Sequence, residues 1–443
     1  MLKMTRGAVA LAAASAIVLA GCSSSGSDDE PTTDSTAGGG EPTAEAQAED
    51  ITLWLMGTDT PDTLIDYLKT EYADVNGGEL TVEQIGWGDA ISSLTTALPD
   101  SENTPDVTEV GNTQSATFTT VGAFMDITDM YDELGGDSLI QGFVEAGSVG
   151  EQRLALPYYF GSRMVWYRKD LYEQGGVEVP TDLAEVTEVN ASLMDDGVGG
   201  FYVPGQSWRD GISWIFANGG DIATYDGSEW TATLSSPESI TGMEQWQELF
   251  METSVAQVTD DDSTAYEAIN DGFLPGTPAA TTMAPNWAYW SLGDIAENDE
   301  GEPVATWNEE KFGAYALPGV DGGVAPVFAG GSNIGISAST QHPEGAKTLM
   351  RIIFSEEYQT MLAENGLGPA NLDYADTYAE VAAMGDIALT AAENAKLTPA
   401  APGWAAIEEA KIMEQYFAAV AEGGDVADLA VEYDDQINAL ING

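Results

Sequence analysis

The chain has 443 residues, with 74 Asp and Glu against 13 Lys and Arg, for a formal net charge of −61. That surface repels nucleic acid and anionic lipid, excluding both as partners held by charge, and it disfavours a polyanionic ligand. A content of 43% apolar and 9% aromatic residues is that of a folded protein, long enough for two or three domains with large cores.

The chain opens with Lys3 and Arg6, then an apolar run from Ala8 to Ala20 that is too short for a membrane span of about 20 residues. The run ends in Leu19-Ala20-Gly21-Cys22, which resembles the lipobox of bacterial lipoproteins. The resemblance implies a signal peptide over residues 1–21 and a lipid on Cys22. An ordinary secretory signal followed by an incidental cysteine is the other reading. Cys22 is the only cysteine, so no disulfide can form within the chain. Residues 22–49 are nearly all Ser, Thr, Gly, Pro, Ala and acid, a composition that cannot bury enough apolar surface to fold. As a flexible tether they span roughly 30 Å.

The next hundred residues alternate strand and helix. Ile51 to Leu55 reads as a strand. Pro61 opens a helix bearing Leu64, Leu68, Tyr72 and Val75, stopped by Asn76-Gly77-Gly78. Leu80 to Ile85 is a second strand, Asp89 caps a helix with Ile91, Leu94 and Leu98, and Pro105 to Val110 is a third strand. This pitch predicts a parallel sheet covered by helices, with ligand beyond the carboxyl ends of its strands. The loops there are Gly57-Thr58-Asp59, Gly86-Trp87 and Gly111-Asn112-Thr113-Gln114.

A second α/β block follows, with a strand at Met164 to Tyr167, helices at Trp208 to Ala217 and Met243 to Met251, and a short strand at Ala279 to Met283. Strands return at Phe312 to Pro318 and Ala325 to Ile336. Helices then run from Pro343 to Phe354 and from a Ser355 cap to Gly366. Two amphipathic helices close the chain, one marked by Ile407, Ala410, Met413, Phe417 and Val420, the other by Val426, Leu429, Tyr433, Ile437 and Leu440.

Several of these segments together resemble the family 1 extracellular solute-binding proteins, receptors of bacterial sugar-type ABC importers. The landmarks are Pro105-Asp106-Val107, Gly122 to Thr128, Leu156-Pro157-Tyr158-Tyr159 and Tyr167 to Leu171. Further on come Asn218-Gly219-Gly220-Asp221, Met283 to Trp287, Gly330 to Ser337 and Pro343 to Ala346. The resemblance covers nearly all of residues 50–443. It implies a hinged two-lobed α/β fold of the periplasmic-binding-protein type II, with ligand between the lobes. One lobe would take 50–160 plus 317–370, the other 164–316 plus 371–443, with crossings near Phe160 to Arg163, Leu317 and Gly366 to Asn371. It also implies ABC permease subunits as partners, a membrane contact through the lipid, and a monomer on the outer face of the cell membrane.

Neutral sugars present apolar C–H faces rimmed by hydroxyls, which suit flat aromatic rings flanked by amide, carboxylate and guanidinium groups. Among the 11 tryptophans, Trp54, Trp166 and Trp246 read as core. Trp87, Trp208, Trp287 and Trp404 stand in or beside loops and are candidate ligand contacts. Trp287 leads them, because Pro285-Asn286-Trp287 resembles the family's Pro-Trp site element with Asn286 inserted. The other candidates are Asp59, Asn112, Gln114, Tyr158, Arg163, Asn286, Ser332 and Asn333, together with Gly330 and Gly331, where backbone can approach a ligand or simply turn. Arg163 reads equally as a ligand fork or as a hinge ion pair.

Catalysis has little to stand on. The one histidine, His342, precedes a helix start and reads as a surface residue, so neither a Cys/His site nor a His-rich zinc site is available. Asp260-Asp261-Asp262 reads as a solvated turn, and no metal or cofactor is expected. The function expected is capture of a mono- or oligosaccharide for an importer. A receptor for a peptide, polyol phosphate or amino-sugar derivative is the near rival, and a surface glycoside hydrolase, which needs only two carboxyls, is the distant one.

With no other long apolar segment to hold it, Cys22→Ala protein whose signal has been removed is expected to leave the membrane fraction on a salt wash. Retention of that processed variant would refute the lipid anchor.

Overall fold

The computed structural model describes residues 48–195, 197–261, 266–298, 303–381 and 384–443. The signal segment, Cys22, the tether up to residue 47, and Asp262 of the acidic turn lie outside the described residues. The folded region begins slightly before residue 50. Tyr72 Oη donates to the Glu49 carbonyl at 2.8 Å, and Glu49 Oε2 accepts the Gly345 N–H at 2.6 Å.

Strands β1 (Ile51–Met56), β2 (Leu80–Ile85) and β3 (Val107–Gly111) pair in parallel, with β1 in the middle. Helices α1 (Asp62–Asn76) and α2 (Ala90–Ala97) connect them. Gly77, at φ 82°, ends α1 by donating its N–H to the Ala73 carbonyl, a left-handed cap that suits glycine. Val75 is 58% exposed and falls outside the buried stripe of Leu64, Ile65, Leu68 and Tyr72.

The sheet is mixed beyond β3. Strand β4 (Ala155–Arg168) is 14 residues long, and almost every residue in it is buried. Helices α3 (Trp208–Ala217) and α4 (Pro237–Thr253) follow, then β5 (Thr281–Pro285), β6 (Phe312–Tyr315) and β7 (Ala329–Ile336). The first half of β4, up to Ser162, pairs antiparallel with β7, which in turn pairs antiparallel with β3. Its second half, from Arg163, pairs antiparallel with β5 and β6. The long strand therefore joins the two halves of one nine-stranded sheet.

Two large cores sit at the two ends of β4. Leu53, Leu68, Tyr72, Ile334 and Ile353 belong to the first, which α5 (Pro343–Ile353) and α6 (Glu356–Glu364) help cover. Val165, Trp208, Trp246, Trp404 and Phe417 belong to the second. Leu317, Ala325, Val327 and Phe328 also pack in the second core, and Ala329 and Gly330 pair with Ser162 and Gly161. Gly368 and Pro369 pair with Phe160 and Tyr159, within the third expected crossing.

The expected helix through Ile407 and Val420 is two helices, α7 (Trp404–Glu409) and α8 (Ile412–Ala421), followed by α9 (Val426–Asn438). Lys411 adopts φ 53° between them. A spacing of five separates Ile407 from Ile412, which a continuous helix would place on different faces. The break lets both enter the core and leaves Ala410 exposed.

Candidate functional site

The carboxyl ends of β1, β2 and β3 deliver Asp59, Trp87 and the segment Gly111 to Gln114 to one cleft. Facing groups come from the middle of β4 (Tyr159, Arg163), the turn after β5 (Trp287, Trp290), the start of β7 (Gly330, Gly331) and α7 (Glu408). The cleft comprises two contiguous cavities of about 520 and 330 Å³, sharing Asp59, Trp87, Tyr159 and Trp287 as a common wall. Such volumes lie in the range of small-molecule sites. The larger is mostly apolar and adds Pro61, Trp290 and Leu367. The smaller is polar and adds Asn112, Gln114, Arg163, Arg209 and Glu408. An open groove of about 810 Å³ beside Trp54 and Asp100 shares no residue with the cleft and lies away from the strand carboxyl ends. The converging loops and paired aromatic walls single out the cleft as the site.

Two tryptophans form its walls, each seated on glycine. A Cβ at Gly57, itself at φ 64°, would lie 2.5 Å from Trp87 Nε1, and one at Gly111 would lie 3.3 Å from the same ring. A Cβ at Gly161 would lie 1.8 Å from Trp287 Cζ3, and one at Gly330 3.3 Å from Trp287 Cη2. Asp59 Oδ2 accepts hydrogen bonds from Trp87 Nε1 at 2.7 Å and from Tyr159 Oη at 3.1 Å, which fixes the first ring.

Arg163 both lines the cleft and forms an ion pair. Its Nε donates to Asp210 Oδ1 at 2.8 Å, Ser207 donates to the other carboxylate oxygen, and its guanidinium lies 5.0 Å from the Phe328 ring centre. Removing one partner of so buried a pair costs about 3–5 kcal/mol. Arg209 lies over Trp208, and Glu408 Oε1 accepts from Arg209 Nη2 and from Thr113 Oγ1, each at 3.3 Å. Burial pushes the Glu408 carboxyl above its ordinary range.

Asp59, Trp87, Asn112, Gln114, Arg163, Trp287, Gly330 and Gly331 thus lie together at the cleft. Six other candidates line neither cavity. Trp208 and Trp404 occupy first turns of helices whose inner faces build the second core, and their rings meet at 5.9 Å. Tyr158 points to the opposite face of β4 from Tyr159, and its Oη bonds Tyr358 Oη at 2.6 Å and Thr60 Oγ1 at 3.0 Å. Asn286 is buried, accepting from the Ser162 N–H at 3.1 Å and donating to Tyr378 Oη at 2.6 Å. Ser332 and Asn333 are buried in β7, and Asn333 Nδ2 donates to the Phe143 carbonyl at 2.8 Å. Tyr159, Arg209, Trp290 and Glu408 were not singled out from sequence. Scarcity was the available signal for Arg209, since a chain with 13 basic residues seldom places one next to a candidate tryptophan without use.

The chain matches the family model described as bacterial extracellular solute-binding protein over residues 57–360. It belongs to that family. It is 27% identical over 401 residues to the diacetylchitobiose binding protein DasA of Streptomyces coelicolor, covering 88% of this chain and 89% of the relative. The sugar-binding protein MalE of Xanthomonas citri superposes with a TM-score of 0.74 at 18% identity, over 89% of this chain and 97% of that one. The GacH receptor of Streptomyces glaucescens, solved unliganded and with acarbose, gives 0.72 at 17%, over 89% and 99%. The solute-binding protein described here shares their two-lobed α/β fold.

One carboxyl beneath the cleft has an unusual environment. Glu109 of β3 is fully buried, with Oε2 accepting the Met56 N–H at 2.8 Å. Burial pushes it up to about 8, the nearby Asp59 charge adds to the rise, and hydrogen bonds to the carboxylate only partly oppose it. The folded protein then holds a proton that the unfolded chain releases near pH 4.5, so this group's stabilising contribution is full below that pH and is lost as pH climbs towards about 8. Urea unfolding at pH 5 and pH 9 is expected to show the stability difference between Glu109→Gln and the parent shifting in the variant's favour at the higher pH. A pH-independent difference would contradict it.

Proposed function

We propose that this solute-binding protein captures a mono- or oligosaccharide outside the cell membrane and delivers it unchanged to the permease of an ABC importer. The observation that carries the proposal is the pair of glycine-seated tryptophans, Trp87 and Trp287, walling two adjoining cavities. Flat rings match the apolar faces of pyranoses, and the amide, carboxylate and guanidinium groups of the smaller cavity match their hydroxyls. Two cavities sharing one wall suit two linked sugar rings, which favours an oligosaccharide. The similar proteins, a diacetylchitobiose binding protein, a sugar-binding protein and a receptor solved with acarbose, point the same way.

In this proposal one lobe comprises residues up to Phe160 together with the chain from about Gly330 to Ala370. The other comprises Arg163 to Phe328 together with the C-terminal helices. Closure rotates one lobe on the other about the middle of β4 and the two later crossings, as hinges of few residues do. Lipidated Cys22 holds the monomer at the membrane, and the tether lets it turn towards the permease.

Trp287→Ala removes an aromatic face worth roughly 1.5–3 kcal/mol on ligand burial. Calorimetric titration with a sugar panel is expected to show about 10- to 150-fold weaker binding, at about 1.4 kcal/mol per tenfold. Ligand-free melting should change little, and chromatography of the recovered sugar should show it intact. Large destabilisation with unchanged affinity, or release of cleaved sugar, would overturn the assignment.

A further inference from the structure

Four ionic side chains line the two cavities, two of each sign, but their pairing leaves one carboxylate over. Arg163 is matched by Asp210 at 2.8 Å and Arg209 by Glu408 at 3.3 Å. Asp59, which belongs to both cavities, has no ion-pair partner among the described residues. Its two hydrogen bonds come from neutral donors, the Trp87 indole and the Tyr159 hydroxyl, and both end on Oδ2. No protein hydrogen bond reaches Oδ1 among the described residues.

Two further observations carry the same sign. Buried polar atoms without a partner on residues lining the cleft are Gln114 Oε1 and Glu408 Oε2, and both are acceptors. The unmet hydrogen-bonding capacity within the cleft wall is therefore that of acceptors. The rings of Trp87, Trp287 and Tyr159 line both cavities together with Asp59. Aromatic faces attract cations, most strongly where water is partly excluded. An unmatched carboxylate inside an aromatic enclosure is therefore built for positive charge at least as well as for a hydroxyl, and the net charge of −61 draws cationic solutes towards it.

We propose that the preferred ligand is a saccharide bearing a free, protonated amine, seated with its ammonium on Asp59 between Trp87 and Trp287. This rests on the reading of the cleft as a sugar site and narrows its substrate class. The amine donates to Asp59 Oδ1, and the ring faces on either side contribute cation–π attraction. The remaining hydroxyls face the polar cavity lined by Asn112, Gln114 and Glu408. A neutral sugar keeps the hydroxyl contacts and loses the ionic one.

Titration calorimetry on the mature chain tests it with matched triplets of gluco- and galacto-configured mono- and disaccharides. Members of a triplet differ only in carrying a hydroxyl, an acetamido group or a free amine at one position. The buffer is held near ~pH 6, below the range where α-amines lose their proton. The amine of at least one triplet is expected to bind tenfold or more tighter than its neutral partners. Asp59→Asn, whose amide oxygen still accepts from Trp87, should remove that preference, so that the amine and its neutral partners bind alike. Ligand-free melting of the variant serves as the folding control. Equal or weaker binding of every amine, with a neutral sugar bound, would overturn the amine and leave the sugar receptor standing. A preference that survives Asp59→Asn in a folded variant would overturn the role of Asp59. Binding of no saccharide of any kind would instead reject the sugar site itself.

Discussion

The ring of Trp287 occupies the space that any side chain at position 161 would need, and the geometry of the cleft depends on that contact. Gly161 lies in the middle of β4, where the strand leaves its pairing with β7 and takes up pairing with β5 and β6. A side chain there would push the ring away from the strand. Trp287 itself follows β5, which pairs with the second half of β4, so its position is set by the same strand it rests on. Gly330 opposite Gly161 leaves room for the ring edge and for the Arg163 guanidinium. Trp87 is held on the other side by Gly57, Gly111 and the Asp59 carboxylate. Both walls therefore depend on missing side chains more than on added ones.

Electrostatics inside the cleft differs from that of the surface. Most of the 74 acids can be solvated and spread, but the few acids near the cleft each have a defined partner or environment. Asp210 and Glu408 hold arginines, Asp59 holds an indole and a phenol, and Glu109 is buried beneath them. A buried carboxyl close to Asp59 that keeps its proton avoids placing two like charges in a region of low polarisability.

Much of the first lobe was legible because strand and helix alternate there with turn residues at each change. The rule that ligands lie beyond strand carboxyl ends brought Asp59, Trp87, Asn112 and Gln114 to one place before any coordinates were needed. Strand β4 was harder. Nearly all of its 14 residues are buried on both faces, so no alternation of polar and apolar residues tells Tyr158 from Tyr159. Trp208 and Trp404 show the matching difficulty for helices: each helix start could be read, but the face that its first turn presents depends on neighbours distant in sequence. Arg209 and Glu408 meet across nearly two hundred residues, and only the packing of α3 beside α7 reveals the pair. Leu317, Ala325, Val327 and Phe328 join the second core through long-range packing that no local pattern announces.

A crystal structure of the mature chain grown with its tightest-binding saccharide tests the central claim most directly. The account predicts a sugar ring between the faces of Trp87 and Trp287, with Asp59 within hydrogen-bonding distance and a second ring in the adjoining cavity. A saccharide bound instead in the open groove beside Trp54, with the two tryptophans bare, would contradict it.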